Sequence, residues 1–170
     1  MIDTIYLDMD GVICDFDKLY HSIYGVNCRD DPNKNNWNEF VKQKGFYKLE
    51  PCKMFTDLID KLYSLDVNIC ILSCVGERSD YKHVRNQKID WLTEYNLGHL
   101  PAIFTRTKLQ KSDFASSDTL LIDDSVKCVE PFRNKGGYAI LHQSVKQTII
   151  ELDCLKEKGL LCAQLLGQTT

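Results

Sequence analysis

Short, uninterrupted apolar runs alternate along the chain with longer stretches in which apolar residues recur every three or four positions. The apolar runs, which predict buried strands, span residues 4–7, 67–72, 102–104, 119–122 and 138–141. Strands that are apolar on both faces and separated by helices are typical of a parallel sheet covered on both sides. The pattern therefore predicts an α/β, Rossmann-like fold with a parallel sheet of about five strands and helices on both faces.

Three stretches predict helices. Pro51 suits the first turn of a helix with one apolar face. The pair Ser79-Asp80 can cap a second helix, and Gly98 is suited to end it. A last helix is predicted over residues 145–166.

Residues 16–49 do not follow this alternation. They lie between the first strand and the first amphipathic helix, and they include an Asn- and Asp-rich segment at 27–38. We interpret residues 16–49 as a small inserted cap over the mouth of a site, and residues 1–15 and 50–170 as the core domain.

Composition and charge narrow the class of protein. The 170 residues suit one domain of ordinary size with a small additional lobe, and 24 acidic against 21 basic residues give a net charge of −3, which opposes an extended nucleic-acid surface. Eight cysteines are scattered without a CxxC pair, so we expect reduced, buried thiols and a cytoplasmic protein. No apolar run approaches the roughly 20 residues that span a bilayer, so no membrane partner is expected.

Acidic and hydroxyl side chains stand at the carboxyl ends of three predicted strands. They are Asp8, Asp10, Ser73, Asp123 and Asp124. Because ligands of parallel sheets bind beyond the carboxyl ends of the strands, we expect these side chains to converge in one site.

The spacing of the aspartates favours phosphoryl chemistry. Asp8 and Asp10 are two positions apart, so their carboxylates can point to the same side, where Mg²⁺ between them would relieve their repulsion. Asp123 can complete the cation site from a neighbouring strand. One aspartate can then attack a phosphate ester while the other protonates the leaving oxygen, and Ser73 and a lysine from residues 107–111 can hold the phosphate.

The chain resembles the haloacid dehalogenase superfamily of phosphohydrolases in four motifs that occur in the same order. The motifs are Asp-Met-Asp-Gly-Val at 8–12, Ser73 after a buried strand, a lysine before the fourth strand, and Leu-Ile-Asp-Asp at 121–124. It also resembles the 5'(3')-deoxyribonucleotidase family of that superfamily over residues 1 to about 141. The stretches that carry this second resemblance are Asp15-Phe16, Gly-Phe-Tyr-Lys-Leu-Glu-Pro at 45–51, Trp91-Leu92, Leu97-Gly98 and Thr105-Arg106.

The resemblance implies a role for each matching acidic residue. Asp8 would be the nucleophile, and Asp10 would be the general acid and base. The Mg²⁺ ligands would be Asp8, Asp123 and the backbone carbonyl of Asp10. Asp124 would not bind the Mg²⁺ itself but would contact the residues that do.

The resemblance also implies the groups that hold the phosphate. These would be Ser73, the adjacent Cys74 and a lysine; Cys74 stands where the nucleotidases tend to carry a second hydroxyl, and a thiol is a poorer donor. Lys108 lies in a Thr-Arg-x-Lys pattern like that of the nucleotidases. We favour Lys111, because the lysine of the superfamily usually opens the helix before the fourth strand, and keep Lys108 as the alternative.

Three aromatic residues are candidates for contact with a substrate base: Phe16, Trp37 and Phe46. Trp37 and Phe46 can equally form a small core of the cap. Elsewhere, a basic cluster fits either a solvated helix face or the attraction of an anion, and it consists of Lys82, His83, Arg85 and Lys88. The pairs Leu160-Leu161 and Leu165-Leu166 fit either the core or a homodimer contact.

Together these features predict a Mg²⁺-dependent phosphohydrolase that uses an aspartyl-phosphate and acts on a small phosphate ester, a deoxyribonucleoside monophosphate. A polynucleotide 3'-phosphatase and a small sugar-phosphate phosphatase are alternatives with the same chemistry. A phospho-receiver module without enzymatic activity is a further alternative, because such modules are also α/β folds with paired aspartates and a lysine.

Overall fold

The order of the strands determines which polar residues meet. The computed structural model describes residues 1–164, and within them five strands form one parallel sheet in the order β3-β2-β1-β4-β5. The strands are β1 (Thr4–Leu7), β2 (Asn68–Cys74), β3 (Ala102–Thr105), β4 (Thr119–Asp123) and β5 (Tyr138–Leu141). The predicted sheet is confirmed, with β1 at its centre between β2 and β4. Ser73, expected just after the second strand, is the penultimate residue of β2.

Helices cover both faces of this sheet. They are α1 (Phe16–Tyr24), α2 (Lys34–Lys42), α3 (Phe55–Tyr63), α4 (Tyr81–Glu94), α5 (Val126–Asn134) and α6 (Val145–Glu157), with short 3₁₀ segments at Cys28–Asp30 and Leu109–Phe114. Successive strand residues point to opposite faces. Ile5 and Leu7 therefore enter a larger core shared with α3, α4 and α6, whereas Tyr6 packs into a smaller core with Phe132 of α5. Burial on both faces explains why the strands are continuously apolar.

Two helix boundaries near the middle of the chain differ from the sequence prediction. α3 begins at Phe55, because Pro51 is held in a bridge with Cys14. α4 ends at Glu94, before the expected Gly98, because Asn96 already takes the left-handed backbone with φ of 60° that stops a helix.

The last helix is also shorter than predicted. α6 ends at Glu157, and Gly159, with φ of 70°, turns the chain back toward β1. The carbonyl of Leu160 accepts from the Ile2 N–H at 2.8 Å, and Leu161 is buried in the larger core. The Leu160-Leu161 pair thus serves the core and the turn, whereas Leu165-Leu166 lies outside the described residues.

Residues 16–49 contain α1 and α2 and pack on the larger core rather than on a separate one. α1 begins after Asp15, whose side chain accepts from the Lys18 N–H, and it ends at Gly25, with φ of 74°. Gln87 of α4 fastens this segment to the core, since its amide donates to the Val41 carbonyl at 2.7 Å and accepts from the Phe46 N–H at 3.1 Å. The division into a core domain and a cap stays a prediction.

Two properties of residues 1–164 concern the cysteines and the helices. All eight cysteines lie in this range and are free thiols. None of its helices has the length and apolar character needed to cross a membrane.

Candidate active site

The carboxyl ends of β1 and β4 bring three aspartates together. Leu7 pairs with Ile122, and the Asp8 N–H continues the ladder by donating to the Ile122 carbonyl at 3.0 Å. Asp8 thus follows one strand while Asp123 ends its neighbour. Carboxylate oxygens of Asp8, Asp123 and Asp124 all lie within 4.8 Å of one another, and Asp8 and Asp123 are buried. We call these three residues the acidic cluster.

Lys111 lies inside the acidic cluster. The 3₁₀ segment Leu109–Phe114 carries it there, and its side chain is 1% exposed. Its Nζ is 2.6 Å from Asp123 Oδ2 and 2.9 Å from Asp8 Oδ1, but only the contact with Asp123 has hydrogen-bond geometry. Asp8 Oδ1 is therefore a buried carboxylate oxygen without a hydrogen-bond partner.

The pKa values of the acidic cluster are pushed apart. Burial opposes ionisation of Asp8, but the ammonium groups of Lys111 and Lys88 outweigh it and leave the pKa of Asp8 below its ordinary value. Burial and the charge of Asp8 raise the pKa of Asp123. Partial desolvation of its carboxyl and the same charge raise the pKa of Asp124 to about 6, although the residue as a whole is exposed.

The acidic cluster fits a divalent cation. Three carboxylates against the single charge of Lys111 leave two negative charges uncompensated. The ligand atoms are all carboxylate oxygens, which Mg²⁺ prefers, and Asp8 Oδ1 is a buried oxygen whose close contact with Lys111 Nζ, at 2.9 Å, lacks hydrogen-bond geometry. Asp8 and Asp123 belong to the ligand set expected from the sequence, and Asp124 lies with them.

Asp10 does not belong to the acidic cluster and pairs with a different lysine. Its side chain is 29% exposed, and Oδ2 accepts from Lys88 Nζ at 2.6 Å. Gly11 follows with φ of 79°, and a Cβ at this position would overlap with the carboxylate of Asp124. Only glycine therefore lets this loop pass so close to the acidic cluster.

Lys88 is the site residue that the sequence analysis assigned wrongly to an exposed basic cluster. It is fully buried, and besides Asp10 it donates to Ser73 Oγ at 2.9 Å. The available signal was its register, since Lys88 falls between Val84 and Trp91 on the buried face of α4.

The other candidate phosphate-holding groups differ in their exposure to solvent. Lys108 is exposed and donates to Ser125 Oγ at 3.1 Å, on the surface beside the acidic cluster. Ser73 is fully buried behind the cavity wall, whereas Cys74 lines the cavity. The roles of these residues toward a phosphate stay predictions.

A cavity of about 770 Å³ opens above these groups, between the carboxyl edge of the sheet and residues 16–49. The candidate site residues that line it are Asp8, Asp10, Phe16, Trp37, Phe46, Cys74, Lys108, Lys111 and Asp124. Its charged lining also includes Arg29 on the cap side.

The three aromatic candidates pack against one another. The rings of Phe16 and Phe46 are stacked with centroids 5.3 Å apart, and Trp37 meets Phe46 edge-on at 5.6 Å. Trp37 is further fixed by its indole N–H, which donates to Asp80 Oδ2 at 2.9 Å. A planar ligand has no room between Phe16 and Phe46, so these rings pack together as part of the larger core, and their contact with a substrate base stays a prediction.

Comparison with known proteins identifies the fold. No family model matches the sequence, and no curated protein sequence matches it. Among solved structures, a haloacid dehalogenase-like family hydrolase from Xanthomonas campestris is similar with a TM-score of 0.62 at 12% identity, over 92% of this chain and 93% of that one. A HAD family hydrolase from Deinococcus radiodurans R1 with bound phosphate and sodium has a TM-score of 0.56 at 12% identity, over 96% and 99%.

A third similar structure is D,D-heptose 1,7-bisphosphate phosphatase from Burkholderia thailandensis, with a TM-score of 0.52 at 10% identity, over 88% of this chain and 97% of that one. Identities this low establish a shared fold and nothing finer. The chain therefore has the α/β fold of haloacid dehalogenase-like hydrolases, a group whose solved members include phosphatases.

Proposed function

We propose that this protein is a Mg²⁺-dependent phosphohydrolase that forms an aspartyl-phosphate on Asp8. The observation that carries the proposal is the environment of Asp8 at the cavity floor. Its carboxylate is buried, its pKa is lowered, and Oδ1 has no hydrogen-bond partner, while Lys111 and two further aspartates surround it. An ionised, under-coordinated carboxylate is what a nucleophile requires.

The chain's own residues account for both halves of the reaction. In the first, an Asp8 oxygen forms a bond to phosphorus, the bond from phosphorus to the ester oxygen breaks, and Asp10 gives its proton to that oxygen. In the second, water forms a bond to phosphorus, the bond to Asp8 breaks, and Asp10 takes up the proton of the water. Lys111, fixed between Asp8 and Asp123, supplies positive charge beside the transferred group.

Asp8 and Asp123 would hold Mg²⁺, with the Asp10 carbonyl and Asp124 beside them. When bound, the cation supplies positive charge that offsets both the acidic cluster and the phosphate oxygens. The two uncompensated charges of the acidic cluster support a divalent cation here. The phosphate and sodium in the similar fold from Deinococcus radiodurans are consistent with it.

For the substrate we propose a deoxyribonucleoside monophosphate, which makes the protein a 5'(3')-deoxyribonucleotidase. The cavity volume of about 770 Å³ suits a ligand of this size. Its acidic cluster and Lys111 would take the phosphate, and Phe16, Trp37 and Phe46 also line the cavity. The sequence resemblance to that family supports the same assignment.

A panel of phosphate esters tests this function. Phosphate release would be measured with Mg²⁺ from deoxyribonucleoside 5'- and 3'-monophosphates, small sugar phosphates and a 3'-phosphorylated oligonucleotide. We expect turnover of the deoxyribonucleotides and complete loss of it in Asp8→Asn, an isosteric variant that cannot attack phosphorus. Full activity of Asp8→Asn would overturn the mechanism. Turnover of the oligonucleotide alone would overturn the nucleotidase assignment while leaving the chemistry intact.

A further inference from the structure

The buried ammonium of Lys88 is a charged group that the proposed reaction does not use. Three contacts surround it: Asp10 Oδ2 at 2.6 Å, Ser73 Oγ at 2.9 Å, and the ring of Phe46, whose centroid lies 5.2 Å away. An ammonium has three N–H donors, and an aromatic face attracts a cation at this distance. Lys88 is therefore fully partnered although it is 0% exposed.

Stability does not explain a lysine at this position. A buried ion pair is often no more stabilising than apolar residues of similar volume, because removing two charges from water is costly. The neighbouring positions on this face of α4, Val84 and Trp91, are apolar and buried. Lys88 is the one charged residue among the buried positions of α4, and a buried charge that costs desolvation points to a role in the site.

Lys88 forms a close ion pair, with its Nζ 2.6 Å from Asp10 Oδ2. An ammonium acts only as a donor, so it orients groups that accept from it.

Of the two groups that accept from Lys88, Asp10 is the general acid and base of the proposed reaction, and Ser73 is a predicted phosphate-holding residue. By binding Oδ2 of Asp10, Lys88 leaves Oδ1 as the oxygen that exchanges a proton, and Oδ1 accepts a hydrogen bond from the weak donor Cys14 Sγ at 3.6 Å. By donating to Ser73 Oγ, Lys88 occupies a lone pair of that oxygen and leaves its O–H free to donate.

We propose that Lys88 is a positioning residue that holds Asp10 in the orientation for proton transfer and turns the Ser73 hydroxyl into a donor. This inference rests on the proposed function and deepens it, because it names the group through which the general acid is held. Lys88 acts through Asp10 and Ser73 and touches no reacting atom.

The first test separates proton transfer from general damage to the site. Lys88→Met keeps the length of the side chain and removes its charge. The kcat/KM would be measured for a deoxyribonucleoside 5'-monophosphate, whose leaving oxygen needs a proton, and for p-nitrophenyl phosphate, whose leaving group does not. We expect a loss of about 100-fold for the nucleotide and a loss at least about tenfold smaller for the aryl ester, in line with the contribution of a general acid.

Lys82→Met is the matched control, because Lys82 is an exposed lysine of the same helix and should leave both values unchanged. Equal losses for the two esters in Lys88→Met, or less than about a threefold loss for the nucleotide, would overturn the proposal. If the wild-type protein releases no phosphate, the proposed function falls and this inference falls with it. An active wild-type protein with an unaffected Lys88→Met variant would remove the inference alone.

A second measurement needs no Lys88 variant and no turnover. In ¹⁵N-lysine-labelled wild-type protein, the Lys88 ammonium should give a signal protected from exchange with water. Asp10→Asn should shift this signal or expose it to exchange, whereas Asp124→Asn, a change in the same cavity away from Lys88, should leave it in place. Absence of a protected signal, or indifference to Asp10→Asn, would contradict the proposal.

Discussion

Two buried lysines face the same cavity edge, and they differ in the balance of charge around them. Lys111 lies among three carboxylates, of which it contacts Asp8 and Asp123, so that two negative charges remain. Lys88 faces one carboxylate, that of Asp10, and a neutral hydroxyl, so its charge is matched. The excess of negative charge around Lys111 is suited to binding a cation, whereas the matched charges around Lys88 are suited to fixing the orientation of Asp10.

Asp8 and Asp10 are only two positions apart, but their environments suit them to different roles. Asp8 is buried, and its Oδ1 is ion-paired with Lys111 but accepts no hydrogen bond from the described residues, which suits a nucleophile and ligand. Asp10 is 29% exposed and held by one oxygen, as a group that exchanges protons requires. The chain separates the two roles by giving each aspartate its own lysine.

The largest expected effect is the loss of Lys111. Lys111→Met leaves Asp8 and Asp123 buried without their counter-charge, and we expect the metal-free protein to lose about 3 to 5 kcal/mol of unfolding free energy. Lys88→Met should cost less, because Asp10 is partly exposed and can be hydrated. Urea unfolding at neutral pH measures both. An equal cost for the two variants would break the comparison between the lysines.

Lys108→Met is the control for Lys111, because Lys108 is exposed and, within residues 1–164, its side chain bonds only to the Ser125 hydroxyl. We expect it to change stability by less than about 1 kcal/mol. The same pair of variants tests which lysine serves the phosphate. Loss of phosphate release in Lys108→Met with full retention in Lys111→Met would reverse the assignment.

The next effect is stabilisation by Mg²⁺. A cation that binds only the folded state at 100 times its Kd adds about 2.7 kcal/mol to the unfolding free energy. We expect Mg²⁺ to raise the Tm of the wild-type protein and of Asp10→Asn, and to raise that of Asp123→Asn much less. Thermal melts with and without Mg²⁺ measure this. A rise that is lost in Asp10→Asn and kept in Asp123→Asn would place the cation elsewhere.

The smallest effect is a pH dependence that isolates Asp124. Its folded-state pKa is raised to about 6, above an unfolded value of roughly 4, so its contribution destabilises the metal-free protein above pH 6 and disappears as the pH falls toward 4. Asp124→Asn should therefore be more stable than the wild-type protein at pH 7, by about 1 kcal/mol because water screens this exposed side chain, and equally stable near pH 4. Urea unfolding at the two pH values checks the difference. The same difference in unfolding free energy at both pH values would contradict charge repulsion at Asp124.

Much of the fold could be predicted from the sequence, because strands buried on both faces leave an unmistakable apolar run. β1 begins and ends where the pattern predicted, and the convergence of Asp8 with Asp123 follows from parallel strands ending at one edge. Helix ends were less predictable. A left-handed Asn96 ended α4 before the glycine that the sequence offered, and the return of Leu161 to the core shortened α6.

The site was predictable where chemistry is carried by local motifs and not where it depends on tertiary packing. The register of Lys88 on α4 indicates burial, but its partners could not be predicted, because Phe46 and Asp10 lie more than 40 residues away in the chain. The aromatic candidates illustrate the same limit. Their aromatic side chains make Phe16 and Phe46 candidates for contact with a substrate base, but only the packing shows that their rings stack on each other.

The most direct test of the central claim is capture of the phosphoryl group on Asp8. Enzyme turning over a deoxyribonucleoside monophosphate with Mg²⁺ would be quenched in acid and treated with borohydride, which reduces an aspartyl-phosphate to homoserine. The account predicts homoserine at position 8, detected by peptide mass spectrometry and absent without substrate. Phosphate release with no modification at position 8, or with modification at another aspartate, would contradict it.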